Sequence, residues 1–354
     1  MTGPWPVGAA TGVGSMPGTD IDDAVQLVFG ELPDLPYLPE LPERGVGSDM
    51  LGRAASVLAE LHVDLQPSGW RLLGAGAGAG GDERRAADLL RRDLDALEIG
   101  ALDYAGHLKL QMTGPWTLAA GVELPRGGAA LLDAGATRDV AEALTEGLLG
   151  HVAEVQRRVP GARMIVQLDE PSLPAVLAGH IPTPSGFSTV PAVEESTAAE
   201  RLGGVFDAVA ATGAVVGVHC CATRAPLGLL RQAGAGFLSF DGRVDVDLDA
   251  VGEAVEAGIF LVVGVVPGAG GRGAGGGGAG SGGGGPETGI LSDPARTVEP
   301  ARRLWRRLGF VPERLGEVVA VSPTCGLAGA SPAYARAALS GLRKASRLLV
   351  DEPS

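Results

Sequence analysis

The sequence predicts an α/β protein, a (β/α)8 TIM barrel forming a single domain over residues 1–354, and three observations predict it. Eight short apolar runs recur along the chain, each separated from the next by a segment with helical spacing, which is the signature of a parallel sheet. The runs end in polar residues, namely Ser15, Glu40 with Glu43, Thr113, Asp169, His219 with Cys221, Asp241 and Cys325. Eight such repeats favour a closed barrel over an open sheet, and a barrel gathers its strand ends on one face. Hydrophobic residues make up 45% of the chain but aromatic ones only 4%, so the core is expected to be aliphatic.

Taken in order, Thr11–Pro17 reads as a short first strand ending in a Gly-Ser-Met-Pro turn. Thr19 or Asp20 can cap a helix from Ile21 to about Gly30. Leu35–Arg44 is held extended by Pro36, Pro39 and Pro42 and carries Glu40 and Glu43. Ser48 starts a helix with apolar spacing through Leu51, Ala55, Leu58 and Leu61, and 74–81 is a flexible Gly/Ala connector. Residues 82–97 form an amphipathic helix with Leu89, Leu90, Leu94 and Leu97 inward.

His107–Pro115 alternates and then turns, giving the third strand; a helix covers 138–158; Arg163–Pro171 is the fourth strand and ends in Asp169 and Glu170. The fifth strand, Ala214–His219, lies between helices at 194–211 and 224–234. The sixth, Gly236–Gly242, contains Asp241, and the seventh, Ile259–Val266, follows a short helix at 249–257. Residues 268–285 are almost wholly Gly, Ala and Ser and cannot bury apolar surface, so they are expected to be a disordered surface insertion within the domain. A helix at 294–308, an eighth strand at 317–321 and a closing helix at 331–349 complete the chain.

A net charge of −14 argues against nucleic acid as a partner, because phosphates would be repelled. No apolar run approaches the ~20 residues that cross a bilayer. No basic-then-apolar leader opens the chain, and three cysteines are too few for a disulfide framework, so the expected compartment is the reducing cytoplasm.

The chemistry is concentrated in Val215-Val-Gly-Val-His-Cys-Cys221. His219 and Cys221 are two residues apart, so on an extended segment they point to the same side and supply half of a zinc site. Cys325 is the only other cysteine outside that run and also follows an apolar stretch, Val318–Val321. Asp241, ending the next strand, is the best fourth ligand, or else a cap or outer support. Cys220 should face away into the core. Trp116 either stacks on a flat ligand or belongs to the core, and His62, His107, His151 and His180 have no partner pattern.

These residues resemble the zinc site of the cobalamin-independent methionine synthase family, which shows His-x-Cys, an acidic residue about one strand later, and a Pro-Asp-Cys-Gly-Leu cysteine. Val13-Gly-Ser-Met-Pro17, Pro39-Glu-Leu-Pro-Glu-Arg44 with Asp49-Met50, Thr113-Gly-Pro115 and Gln167-Leu-Asp-Glu-Pro171 are similar to further family stretches in the same order. The resemblance covers nearly the whole chain, as the catalytic barrel alone. It implies Zn2+ held by His219, Cys221, Asp241 and Cys325. It further implies methyl transfer from a folate-type (5-methyltetrahydrofolate) or corrinoid donor to the thiol of homocysteine, giving methionine. Asp169 with Glu40 or Glu43 would hold the substrate ammonium, and Ser15 with nearby backbone N–H groups its carboxylate; one of the two glutamates is expected to be merely solvated. The sequence departs from the family in having Asp241 where Glu is usual, in lacking the additional N-terminal barrel of the long enzymes, and in carrying Val266-Pro-Gly in place of an Asp-x-His. The alternative is a zinc-binding barrel of regulatory or hydrolytic role without methyl transfer.

Overall fold

The computed structural model describes residues 3–74, 76–268 and 291–353. Six parallel strands, β3 to β8, form one curled sheet in chain order: His107–Thr113, Arg163–Asp169, Val215–Cys220, Phe237–Asp241, Phe260–Val266 and Val319–Pro323. Strands 1 and 2 of our numbering, Val63–Gln66 and Gly69–Leu72, are a separate antiparallel hairpin that the sequence reading missed, having assigned nothing between Leu61 and residue 74. The residues expected as the first two barrel strands do not form ladders. They attach through single parallel bridges, Ala10 to Val321, Ser15 to Glu40 and Tyr37 to Lys109. The reason is local: Pro17, Pro36, Pro39 and Pro42 remove the N–H groups a continuous ladder needs.

The helices follow their apolar spacing. Helix α1, Ile21–Glu31, is capped by Asp20, whose carboxylate accepts from the Asp23 N–H. Helix α2 is only Met50–Ala55, capped by Asp49 rather than started by Ser48, and stops short of Leu58 and Leu61. The longer helices are α3 (Gly81–Gly100), α5 (Ala134–Arg158), α7 (Glu195–Ala210), α10 (Pro294–Leu308) and α12 (Pro332–Asp351). The short helices α4 (Pro115–Gly121), α6 (Leu173–Leu177), α8 (Leu227–Gln232), α9 (Leu248–Glu256) and α11 (Leu315–Val318) fill the remaining connections. The Gly-rich stretch expected to be disordered lies, from residue 269 on, outside the described residues. Among the described residues no helix is long and apolar enough to cross a membrane.

Strand alternation divides the side chains into two cores. Leu108, Leu110, Met112, Val166, Leu168, Val218, Leu238 and Val263 face the helices and join one large aliphatic cluster. The opposite face carries a second, smaller cluster of Ile165, Phe237, Val262 and Ala320 with Trp5, Ala9 and Leu35. Trp5 meets Phe237 and Phe260 edge-on, with ring centroids 5.6 and 5.8 Å apart. That cluster plugs the end where the strands begin. Toward the end where they finish, the same face becomes polar, through Lys109, Gln111 and Gln167 to Asp169, His219 and Ser239, all buried.

Helix α3 departs from its expected face. Leu89 is only partly buried, whereas Asp93 is completely buried. Its carboxylate receives both nitrogens of the Arg44 fork, at 2.6 and 2.9 Å, and Arg53 Nη1 at 2.5 Å. One acid thus ties α3 to the turn Pro42–Arg44 and to α2, the segments beside Glu40. Breaking such a buried cluster on one side leaves uncompensated charge, so Asp93→Ala should cost about 3–5 kcal/mol, read as a lowered midpoint in urea unfolding.

Candidate metal centre and its surroundings

Parallel pairing fixes the layout of the site. Thr113 pairs with Asp169, Asp169 with His219, and His219 with Ser239, so these four side chains stand side by side at one level of the inner face. Two residues beyond His219, past the end of its strand, comes Cys221. Cys325 enters from the loop after Val319–Pro323. The His219 ring, Cys221 Sγ and Cys325 Sγ each offer an atom within 4.8 Å of the other two. Two separated stretches of chain, His219–Cys221 and the loop holding Cys325, therefore come together.

The His219 ring is held by one nitrogen: Nδ1 lies 2.8 Å from Ser239 Oγ, while Nε2 is buried with no hydrogen-bond partner. An orphaned imidazole nitrogen beside two sulfurs is what a metal ligand looks like without its ion. Cys221 Sγ and Cys325 Sγ are 3.1 Å apart and not bonded as a disulfide. Ligands of a tetrahedral zinc at ~2.3 Å stand about 3.8 Å from one another, within reach of small side-chain rotations from this arrangement. The donor set, one imidazole and two thiols, suits a soft divalent ion such as zinc.

The two thiols divide one charge between them. The hydrogen bond from Cys221 is the main influence that lowers the Cys325 pKa, to about 4; burial opposes it and His219 assists it. Cys221, as the donor, is raised by that same bond and by burial. Cys220 faces the other way, fully buried, and burial pushes its thiol up to about 12. It is a core residue, as the alternation required.

Asp241 ends its strand as expected but is not in the three-residue cluster. Its Oδ1 accepts the Arg243 N–H at 2.8 Å, and its pKa is raised by burial, with the Arg243 contacts opposing. The two candidate glutamates separate cleanly. Glu40 is 5% exposed and points into the polar interior, whereas Glu43 lies exposed on the turn Pro42–Arg44. Asp169 is buried beside Glu40, and its pKa is raised well above the ordinary carboxylate range, first by burial and then by the Glu40 charge. Ser15 is half-buried and abuts the cysteine loop: its carbonyl accepts the Leu327 N–H at 2.8 Å, and a side chain on Gly326 would strike Ser15 Oγ.

Several neighbours are structural. Thr113 Oγ1 donates to the Met50 carbonyl at 2.7 Å, tying its strand to α2. Glu170, next to Asp169 but on the opposite face, accepts from the Trp116 N–H (2.9 Å), the Thr117 N–H (2.8 Å) and the Thr117 hydroxyl (2.7 Å). It caps α4 from the neighbouring strand. Burial pushes its pKa to about 7 against those three donors. Trp116 belongs to the core, 1% exposed, with Nε1 donating to the Ala198 carbonyl. His151 is buried and depressed to about 4 by burial, and His62 pairs with Glu83 at 2.8 Å. The sequence reading missed Lys109, Gln111, Arg53 and Asp93. The odd-numbered positions of His107–Thr113 could have revealed the first two, because a lysine and a glutamine share the face of Thr113.

No protein-family model matches the sequence, and no curated protein does. Among solved structures, the chain is similar to a B12-independent methionine synthase from Shewanella sp. W3-18-1, determined in complex with selenomethionine. The match has a TM-score of 0.59 at 11% identity and covers 97% of this chain and 98% of that one. The resemblance seen in the motifs is thus met by a likeness of fold to a cobalamin-independent methionine synthase. A prolidase complexed with N-methylphosphonate-L-proline overlaps at a TM-score of only 0.28, with 14% identity over 73% of this chain and 65% of its own, too little for a common fold.

Two outcomes follow from this geometry. In metal-free protein, iodoacetamide should alkylate Cys325 at pH 6, where an ordinary thiol of pKa ~8.5 is almost wholly protonated, and Cys221→Ser should abolish that acid-range reactivity. Glu170→Ala, which leaves buried N–H groups of α4 unpaired, should lower stability by about 1–3 kcal/mol in denaturant titration.

Proposed function

We propose that the chain is a zinc-dependent methyltransferase that moves a methyl group from a folate-type or corrinoid donor to the thiol of homocysteine. The observation that carries this reading is the convergence of the His219 ring with the Cys221 and Cys325 sulfurs, at the strand ends of the curled sheet. The likeness of fold supports it: the structure named as a methionine synthase is matched over 98% of its own length. We further read the three single bridges as the closure of an eight-membered (β/α)8 barrel, in which Ala10–Ser15 and Tyr37–Glu40 serve as the first two staves.

In this reading His219, Cys221 and Cys325 hold zinc, and Asp241 is the fourth protein donor. When bound, zinc supplies deprotonation of a thiol ligand at neutral pH and a fixed position for its sulfur. The chain's own residues do the rest of the recognition. Glu40 and Asp169 are two buried carboxylates that raise one another's energy, a repulsion that a ligand ammonium relieves. Ser15, beside the cysteine loop, meets the ligand carboxylate. Glu43, out in solvent, takes no part.

The deciding experiment incubates zinc-loaded protein with homocysteine and a panel of methyl donors and looks for methionine; none with any donor would sink the assignment. Cys221→Ser and Cys325→Ser should each lose bound zinc by elemental analysis, and full occupancy in both would end the metal reading. Glu40→Gln should raise KM for homocysteine about tenfold or more, with Glu43→Gln unchanged. Ammonium binding needs Asp169 ionised. Because its pKa is raised, KM should fall as pH rises through and above the ordinary carboxylate range, and Asp169→Asn should flatten that dependence.

A further inference from the structure

Beneath the two carboxylates lies a buried polar layer for which the reaction above has no use. Lys109, Gln111 and Gln167 are each at most 2% exposed. Lys109 Nζ donates to the Val13 carbonyl at 2.9 Å and to Gln111 Oε1 at 3.2 Å. The second contact decides which way the Gln111 amide faces. With its oxygen turned to the ammonium, its nitrogen must point the other way, and Nε2 donates to the Leu38 carbonyl at 2.7 Å and to Glu40 Oε1 at 3.0 Å. Gln167 is the register partner of Gln111 on the next strand. Its Nε2 donates to the same Val13 carbonyl at 2.9 Å and to Asp169 Oδ1 at 2.7 Å. Two glutamines at one level thus each hand forward one carboxylate, and one lysine orients the pair.

The arrangement is unusual for a buried lysine, which ordinarily pairs directly with an acid. Here its hydrogen bonds go to a carbonyl and an amide oxygen, and its charge stands behind both acids. Burial draws the Lys109 pKa down to about 8, with Asp169 and then Glu40 pulling the other way, so the group is cationic at neutral pH. Arg53 also stands between two acids, with Nε 3.5 Å from Glu40 Oε1 and Nη1 on Asp93. Among the described residues, each of these contacts falls on Glu40 Oε1 or Asp169 Oδ1, which leaves Oε2 and Oδ2 as the oxygens offered to a ligand.

We propose that Lys109 is a positioning residue for amino-acid recognition, holding Glu40 and Asp169, through Gln111 and the shared Val13 carbonyl, aimed at the ammonium of an α-amino-acid thiol, so that thiols lacking an ammonium are rejected. The inference rests on the reading that Glu40 and Asp169 meet that ammonium. It adds the device that makes the pair selective and assigns it to a residue that touches neither substrate nor metal.

The test measures binding to the zinc-loaded full chain by calorimetry, using L-homocysteine and 4-sulfanylbutanoate, which has the same thiol and carboxylate but no ammonium. The wild type should prefer homocysteine. Lys109→Met should cut that preference by about tenfold to a hundredfold, leaving zinc content and affinity for 4-sulfanylbutanoate unchanged. Gln167→Leu, which keeps the lysine but removes the bonds to Asp169 and the Val13 carbonyl, should cut it by a smaller factor, and it decides the matter if Lys109→Met does not fold. A preference kept in the folded variants, or equal weakening toward both ligands, overturns the proposal. A wild type that binds both thiols equally instead overturns the assignment of Glu40 and Asp169, a result distinct from failure of the lysine.

Discussion

A polar group inside a parallel sheet must find a partner there, and that constraint organises this molecule. The inner face of the sheet starts as an apolar plug around Trp5, Phe237 and Val262. It can turn polar only because Lys109 donates to Gln111 and because these two and Gln167 bond two backbone carbonyls from the N-terminal segments. Those segments, broken by prolines, have few ladder bonds of their own. The amide layer therefore does two jobs with the same atoms: it fastens Val13 and Leu38 to the sheet, and it presents Glu40 and Asp169.

Charge is graded along the same axis. A lysine lies deepest, Asp169 and His219 stand at one level above it with Glu40 beside the aspartate, and the two thiols lie beyond them. Asp169 is destabilised by burial and by the Glu40 charge, and the thiol pair resolves a similar conflict by sharing a proton between Cys221 and Cys325. Acids and thiols gathered in one buried place attract positive charge, and the two sides of a strand divide the roles of neighbouring residues. Asp169 and Glu170 are consecutive, yet one faces the ligand space and the other locks the start of α4.

Much of this was legible in the sequence. Apolar runs with polar tips located six of the ladder strands, and the two-residue spacing of His219 and Cys221 put both on one side. Cys220 followed from the same alternation. What escaped notice had a shared cause. The first two strands were expected as ladders although prolines remove their donors, and the Val63–Leu72 hairpin fell in a short stretch after Leu61 with too few apolar residues to mark strands. Lys109 and Asp93 were passed over because charged residues in amphipathic stretches are ordinarily solvated, and only tertiary partners such as Arg44 and Arg53 make their burial tolerable. Glu40 and Glu43 could not be ranked from spacing, since the turn Pro42–Arg44 alone sends one inward and the other out.

The contact between Ser15 and the Cys325–Gly326 loop joins the two ends of the polypeptide. During synthesis the imidazole and Cys221 emerge while the second sulfur is still a hundred residues away, 104 by sequence separation. The nascent chain thus carries only two of the three clustered groups at that point. The three-residue cluster is complete only once Val319–Pro323 and the loop that follows it have been made.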